Sequence, residues 1–212
     1  MSHVNDTKCE FPAVQLLAQC RLPIRLRGID LKIWTLKVFR SNLDDGNHVV
    51  LEYGDPGDRW EQPLVRIHSA CFTGDILGSQ HCDCGDQLFM ALQKIVDHGY
   101  GFMIYHLNHE GRGIGLVHKI RAYHLQQTEH VNTYEANERL GFARDLRRYD
   151  TSVAIIQALG LSRIILLTSN GFKASSLEPW VARTIALEAP VNQHNLEYLI
   201  AKRKFERSRS KL

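Results

Sequence analysis

The chain has 212 residues, 44% of them apolar and 23% charged, which is enough for a core without disulfide staples and excludes a wholly disordered chain. With 26 basic side chains against 23 acidic ones, the formal charge of +3 does not argue for nucleic-acid binding, although it suits a small anionic substrate.

In chain order, residues 1–15 are expected to form a flexible polar tail. Within it, Met1 to Pro12 lacks the basic-then-apolar order of a secretory signal, so the expected compartment is the cytoplasm. Leu22 to Phe39 reads as two strands broken by a turn at Arg27-Gly28. Asp44-Asp45-Gly46 turns the chain into a strand over His48–Tyr53, and Asp55-Pro56-Gly57-Asp58 turns it again before a short strand, Leu64–His68. Leu88, Phe89, Leu92, Ile95 and Val96 recur at helical spacing, predicting a helix from Gln87 to His98 that stops at Gly99. Phe102–Tyr105 reads as a buried strand, followed by a glycine-rich loop and a helix over Ile114–Gln127. A helix over Ser152–Leu159 leads to a strand over Arg163–Thr168, and helices over Ser175–Ala182 and Asn195–Arg207 follow.

Strands first, then strands alternating with helices, predict an α/β chain: a single domain over residues 16–205 with a mixed β-sheet flanked by helices. Lys202 to Lys211 read as a basic, frayed and solvated helix end rather than a nucleic-acid arm, with residues 206–212 as the C-terminal tail. No apolar run reaches the roughly 18 residues of a membrane span.

Three of the five cysteines, Cys71, Cys82 and Cys84, fall close together. Clustered thiolates are good zinc ligands, and three protein ligands suit a catalytic zinc because one coordination position is left for water. A structural zinc with His68 or His81 as fourth ligand is the competing reading; the absence of paired Cys-x-x-Cys spacing argues against it. Three thiolates around a dication leave the site anionic, so bound water acidifies less than beside neutral imidazoles and needs a nearby base. His68, Asp83 and Glu110 are candidates for that base.

His109-Glu110-Gly111-Arg112-Gly113-Ile114-Gly115 lies between a predicted strand and helix, where glycines admit a ligand close to the backbone and helix-start amides favour an anion. Thr168-Ser169-Asn170-Gly171-Phe172-Lys173 follows a strand and offers hydroxyls and an ammonium to phosphate oxygens. Each alone fits an ordinary turn. Together with the cysteines they point to one site for a hydrolysable group and a polyphosphate.

Val65-Arg66-Ile67-His68-Ser69, Cys71, Thr73-Gly74-Asp75 and Cys82-Asp83-Cys84-Gly85 with Gln87-Leu88 resemble the zinc signature of the GTP cyclohydrolase II family. Tyr105-His106, Glu110-Gly111-Arg112, Lys119-Ile120-Arg121-Ala122-Tyr123, Thr133, Glu135-Ala136-Asn137, Asp145, Arg147, Thr168 and Lys173 follow in the family's order, so the resemblance covers most of the chain. It implies one Zn2+ per subunit on Cys71, Cys82 and Cys84, attack of water on C8 of guanine with release of formate, and loss of pyrophosphate assisted by Mg2+ on the triphosphate. The implied GTP site comprises Arg66, Ile67, His68, Ser69, Ala70, Gln87, Glu110, Gly111, Arg112, Thr133, Thr168 and Lys173. The implied catalytic residues are Asp145 as proton acceptor, Arg147 as the proposed nucleophile at the α-phosphate, and Tyr123. A homodimer that contacts neither membrane nor nucleic acid is also implied, feeding riboflavin or a related heterocycle such as an azapteridine.

The guanidinium of Arg147 has no lone pair to act as a nucleophile, and clamping phosphate is its easier task. Glu110 and Gln87 suit the donor edge of guanine. Ala70 stands where the family usually carries an acidic residue, and Asn170-Gly171-Phe172-Lys173 keeps one lysine where the family tends to have two. A zinc-stabilised nucleotide- or RNA-binding module without catalysis is the alternative reading; retention of Asp145 and Arg147 favours the enzyme.

Overall fold

Seven strands form one sheet in the order β1-β2-β3-β5-β4-β6-β7 in the computed structural model, which describes residues 14–25, 30–42, 44, 46–55, 57 and 62–209. The tail up to residue 13, the turn at Arg27-Gly28, Asp45, Pro56 and Asp58 of the other predicted turns, and residues 210–212 lie outside the described residues. The strands are β1 (Val14–Ile24), β2 (Lys32–Ser41), β3 (Asn47–Gly54), β4 (Leu64–Ser69), β5 (Tyr100–His106), β6 (Ile164–Leu167) and β7 (Val181–Ile185). β1, β2, β3 and β5 pair antiparallel, whereas β5, β4, β6 and β7 run parallel, so the predicted mixed sheet is present. The first strands are joined by short turns and pair antiparallel; the later ones are separated by helices and return parallel.

The helices are α1 (Cys84–His98), α2 (Gly115–Glu129), α3 (Thr133–Arg139), α4 (Asp150–Ala158), α5 (Gly171–Ser175) and α6 (Leu196–Arg209). α1 lays Ala91, Leu92 and Ile95 on one sheet face with Trp34, Leu64 and Met103. Val153, Ile155 and Ile156 of α4 cover the other face with Val65, Ile67, Phe102 and Leu166. The central strands are therefore buried on both sides and read as continuous apolar runs, such as Ile164–Leu167.

Three local features differ from expectation. Residues 175–182 do not form a helix: α5 ends at Ser175, and β7 pairs with β6 from Val181 onward. The Asn170 side chain starts that helix earlier by accepting from Lys173 N, and Pro179 cannot donate to a helical ladder. α3 was not anticipated, although Asn132 and Glu135 form a capping box at its start. β1 begins at Val14, upstream of the strand predicted from Leu22, because an exposed strand carries no apolar alternation to mark it.

Candidate functional site

Period two along β4 decides which of its side chains reach the site. Val65 and Ile67 point into the core on the α4 face, whereas Arg66 and His68 follow Leu64 on the α1 face. Ile67 thus contributes its carbonyl oxygen, which accepts from Lys173 Nζ at 2.9 Å, and its side chain does not line the cavity as expected. The carboxyl ends of the parallel strands β4, β5 and β6 deliver Cys71, Glu110 and Thr168 to one open cavity, at the edge where open α/β sheets bind ligands.

The three cysteine sulfurs lie within 4.8 Å of one another. Cys71 follows β4, and Cys84 opens α1, where its bonds to Cys71 and Cys82 and then burial hold the thiol well above its usual range. Between them a single π-type turn, Phe72–Ile76, folds back under the sulfurs. Gly74 makes this possible: a Cβ there would sit 3.1 Å from the sulfurs of both Cys71 and Cys82. A Cβ on Gly85 would strike the Gly74 carbonyl oxygen at 2.4 Å, so both glycines are needed for the turn to seat against α1. Hydrogen bonding from its two partner thiols, with Lys119 beyond them, drives Cys71 strongly towards thiolate, while Cys82 is pushed up to about 12 by its bond to Cys71. Sulfurs this close repel as anions, and a soft dication is what three of them fit. Neither histidine considered as a fourth ligand joins them: His68 is turned to Asp75, and His81 packs edge-on against Tyr123.

Lys119 Nζ donates to Cys71 Sγ at 3.0 Å and to Glu110 Oε1 at 2.6 Å. Burial opposes its charge, but Cys71, Tyr123 and Glu110 together outweigh burial and hold the ammonium protonated. Glu110 Oε2 accepts from Phe72 N at 2.6 Å, tying the π turn to the loop after β5. Asp75 lies under this arrangement, accepting from Tyr105 OH at 2.7 Å and from Cys71 N at 3.0 Å, with His68 Nε2 at 3.1 Å. Burial pushes His68 down, so it stands neutral beside Asp75. Tyr123 OH lies 3.4 Å from Thr73 Oγ1; burial and the Cys82 sulfur raise it, so it stays a phenol able to donate.

Opposite the cysteines are the cations. Arg66 donates to Gln87 Oε1 at 2.6 Å and to the Leu167 carbonyl at 3.0 Å, and Gln87 Nε2 donates on to Asp83 Oδ2 at 2.7 Å. Arg147 grips Asp145 through Nε at 2.9 Å and NH2 at 2.8 Å, and its NH1 lies 3.3 Å from Ser69 Oγ. Burial would raise Asp145, but those bonds hold its carboxyl below the usual range. Asp145 itself does not line the cavity; it presents Arg147, which does. Arg112 sits at φ 63, ψ 33, a left-handed conformation costing on the order of 1 kcal/mol or more for a side chain other than glycine. Its bond to Thr133 Oγ1 at 2.8 Å and its stacking 4.2 Å over the Tyr134 ring hold it there. Ser69, Ala70, Gly111 and Thr168 complete the predicted lining.

The candidates for a nearby base are all engaged: His68 with Asp75, Glu110 with Lys119, and Asp83 with Gln87 and Lys202. Sequence reasoning missed the roles of Asp75, Lys119 and the α6 residues Tyr198, Lys202 and Glu206, all three of which line the cavity. Asp75 and Lys119 were visible within matched motifs, but nothing in their spacing announced the contacts they make.

The family model for GTP cyclohydrolase II matches residues 16–180. The chain belongs to the GTP cyclohydrolase II family. Among its curated relatives, a "Riboflavin biosynthesis protein RibBA" from Salinispora arenicola is 44% identical over 194 residues, covering 90% of this chain and 44% of that protein. A "GTP cyclohydrolase-2" from Shewanella frigidimarina is 43% identical over 173 residues, covering 80% of this chain and 84% of that one. A rice "Probable monofunctional riboflavin biosynthesis protein RIBA 3, chloroplastic" is 40% identical over 193 residues, covering 90% of this chain and 35% of the relative. The chain thus spans less than half the length of several of the curated relatives it matches. A solved two-domain 3,4-dihydroxy-2-butanone 4-phosphate synthase from A. baumannii aligns over 82% of this chain and 40% of its own, at a TM-score of 0.42 and 16% identity, a likeness too slight to support an inference. No helix among the described residues is long and apolar enough to cross a membrane.

Proposed function

We propose that this chain is a hydrolase that opens the imidazole ring of GTP, releasing formate and pyrophosphate and leaving a diaminopyrimidinone ribosyl monophosphate for riboflavin or a related heterocycle. The observation that carries the reading is that the three-thiol cluster and Arg147, held in place by Asp145, share one cavity at the ends of adjacent parallel strands. Zinc on Cys71, Cys82 and Cys84 supplies Lewis acidity and a nucleophile drawn from water when bound. Mg2+ enters with the triphosphate as part of the substrate.

The protein's own groups divide the remaining work. Glu110 Oε1 accepts from Lys119 Nζ and Gly111 N, whereas Oε2 accepts from Phe72 N and keeps a lone pair for the donor edge of guanine, an edge adenine lacks. Gln87 is engaged between Arg66 and Asp83, so its part is to aim Arg66 rather than to read the base. Tyr123, held as a phenol next to the cysteines, donates a proton as the ring opens. Arg147 remains a guanidinium and clamps the α-phosphate, with Asp145 fixing its plane. The exposed Leu16 and Leu17 of β1 and Ile33 of β2, with Leu31 just before β2, support a homodimer as the working form, and the cytoplasm is its proposed compartment.

The test is to incubate the zinc-loaded protein with GTP and Mg2+ and assay formate and pyrophosphate in one tube. Equal release of both is expected. Absence of both, with zinc confirmed present, overturns the reading.

A further inference from the structure

The basic run at the end of the chain, read from sequence as a solvated helix end, forms part of the cavity wall. α6 (Leu196–Arg209) lies beyond the segment matched by the family model, which ends at residue 180. Three contacts fasten it to three other parts of the site. Phe205 stacks on Tyr134 of α3 with ring centroids 4.1 Å apart. Glu206 accepts from Asn170 Nδ2 at 3.0 Å, at the start of α5. Lys202 Nζ donates to Asp83 Oδ2 at 2.7 Å, between two of the cysteines. These contacts turn Tyr198, Lys202 and Glu206 towards the cavity.

Charge shows what this helix adds. Six basic side chains line the cavity, Arg66, Arg112, Lys119, Arg147, Lys173 and Lys202, against three carboxylates, Asp83, Glu110 and Glu206. The excess is greatest around Arg66 and Lys173, which donate to the Leu167 and Ile67 carbonyls and to Gln87 rather than to a carboxylate. Arg66 Nε is buried and has no partner. Burial and then the charges of Arg66, Arg147 and Lys202 bear down on Lys173. Cations that oppose one another this way are stabilised by an anion of several charges. Lys202 is the more exposed end of its pair, 22% against 4% for Asp83, on a long flexible stem. Its ammonium has three donors and gives one to Asp83. A plain clasp would need no more than that one bond.

We infer that Lys202 is a polyphosphate-binding residue: its ammonium, shared between Asp83 and the phosphates of a nucleoside triphosphate, lets α6 close the charged end of the site. The inference rests on the GTP reading for the identity of the nucleoside, but the polyphosphate can be tested without it.

The experiment is calorimetric titration of the zinc-loaded chain with inorganic tripolyphosphate, alongside Lys202→Met and Lys202→Arg. Loss of one charge-assisted bond should weaken binding by roughly 10-fold in Lys202→Met, with Lys202→Arg within about threefold of the parent. Zinc content and melting temperature should stay unchanged, and the KM for GTP should rise with little change in kcat. Unaltered tripolyphosphate affinity in Lys202→Met would overturn the inference, as would a parent protein that does not bind tripolyphosphate. A loss accompanied by falling zinc content or melting temperature would also overturn it, in favour of a structural clasp. A parent that binds tripolyphosphate through Lys202 but opens no GTP would sink the GTP reading and leave the phosphate site standing.

Discussion

The ammonium of Lys119 lies 3.0 Å from the sulfur of Cys71, and both groups are buried. A dication held by three thiolates carries a net negative charge, which is costly in a buried site unless a cation sits beside it. Lys119 supplies that cation and, through Glu110, passes the constraint on to the loop after β5. Lys119→Met should therefore weaken zinc binding about 10- to 100-fold, the range for partners of metal ligands. Competition with a chromophoric chelator measures this, and an unchanged zinc affinity would remove Lys119 from the metal site.

Gly85 and Gly74 meet too closely for a side chain. A Cβ on Gly85 would lie 2.4 Å from the Gly74 carbonyl oxygen, a backbone atom that no rotamer change can move. Gly85→Ala should displace the π turn, lower the zinc stoichiometry and cost about 1–3 kcal/mol of stability, as overpacking does. A variant with full zinc content and an unaltered melting temperature would show that the cradle yields more easily than its geometry suggests.

Cys82 shares its sulfur environment with Cys71 at 3.6 Å. Serine keeps the shape but offers zinc a poor donor, so Cys82→Ser should lose zinc and formate release together. Elemental analysis and a formate assay on one preparation decide the matter, and an active protein without zinc would refute the metal role.

Much of this site was legible because its chemistry is local in sequence. Cys82 and Cys84 are two residues apart, so spacing alone brought them together, whereas Asp145 and Arg147, also two apart, were named by the family resemblance. What spacing could not show was convergence over distance. Lys202 reaches Asp83 across 119 positions, and nothing in a basic helix end distinguishes a solvated lysine from one that lines a cavity. The same limit explains β7: five residues of an edge strand after Pro179 carry too short a pattern to outweigh the helical reading of their flank. Ile67 was misplaced for the opposite reason, since the matched motif names the residue while the strand's alternation sends its side chain to the core.

Arg147 binds Asp145 in a two-point grip and reaches Ser69 with its remaining nitrogen. A planar fork held in this way cannot be copied by an ammonium. Arg147→Ala should abolish pyrophosphate release, and Arg147→Lys should restore little of it, while zinc content stays at the parent level. Normal pyrophosphate release from Arg147→Ala would remove this residue from the mechanism.

Acid sensitivity follows from the buried histidines. Burial, followed by neighbouring cations, lowers His109 to about 3, and burial also lowers His68 and His106. In the unfolded chain each titrates near the ordinary value of about 6.5. Between those limits the unfolded state takes up protons that the folded state refuses, so stability rises with pH there and is lost as pH falls below about 6.5. The lowered carboxylates Asp44 and Asp145 act in a more acidic window, below the ordinary value of 3.8, so the histidines govern the range from about pH 6.5 to 5. Each histidine that stays neutral should cost about 2 kcal/mol at pH 5 relative to neutrality. Denaturant midpoints at pH 7.5 and pH 5 should therefore separate widely in the parent and less in His109→Gln, compared at equal zinc content. An identical separation in the two proteins would mean that His109 takes up its proton in the folded state and that the positive field around it is weaker than its neighbours Arg147 and Lys173 imply.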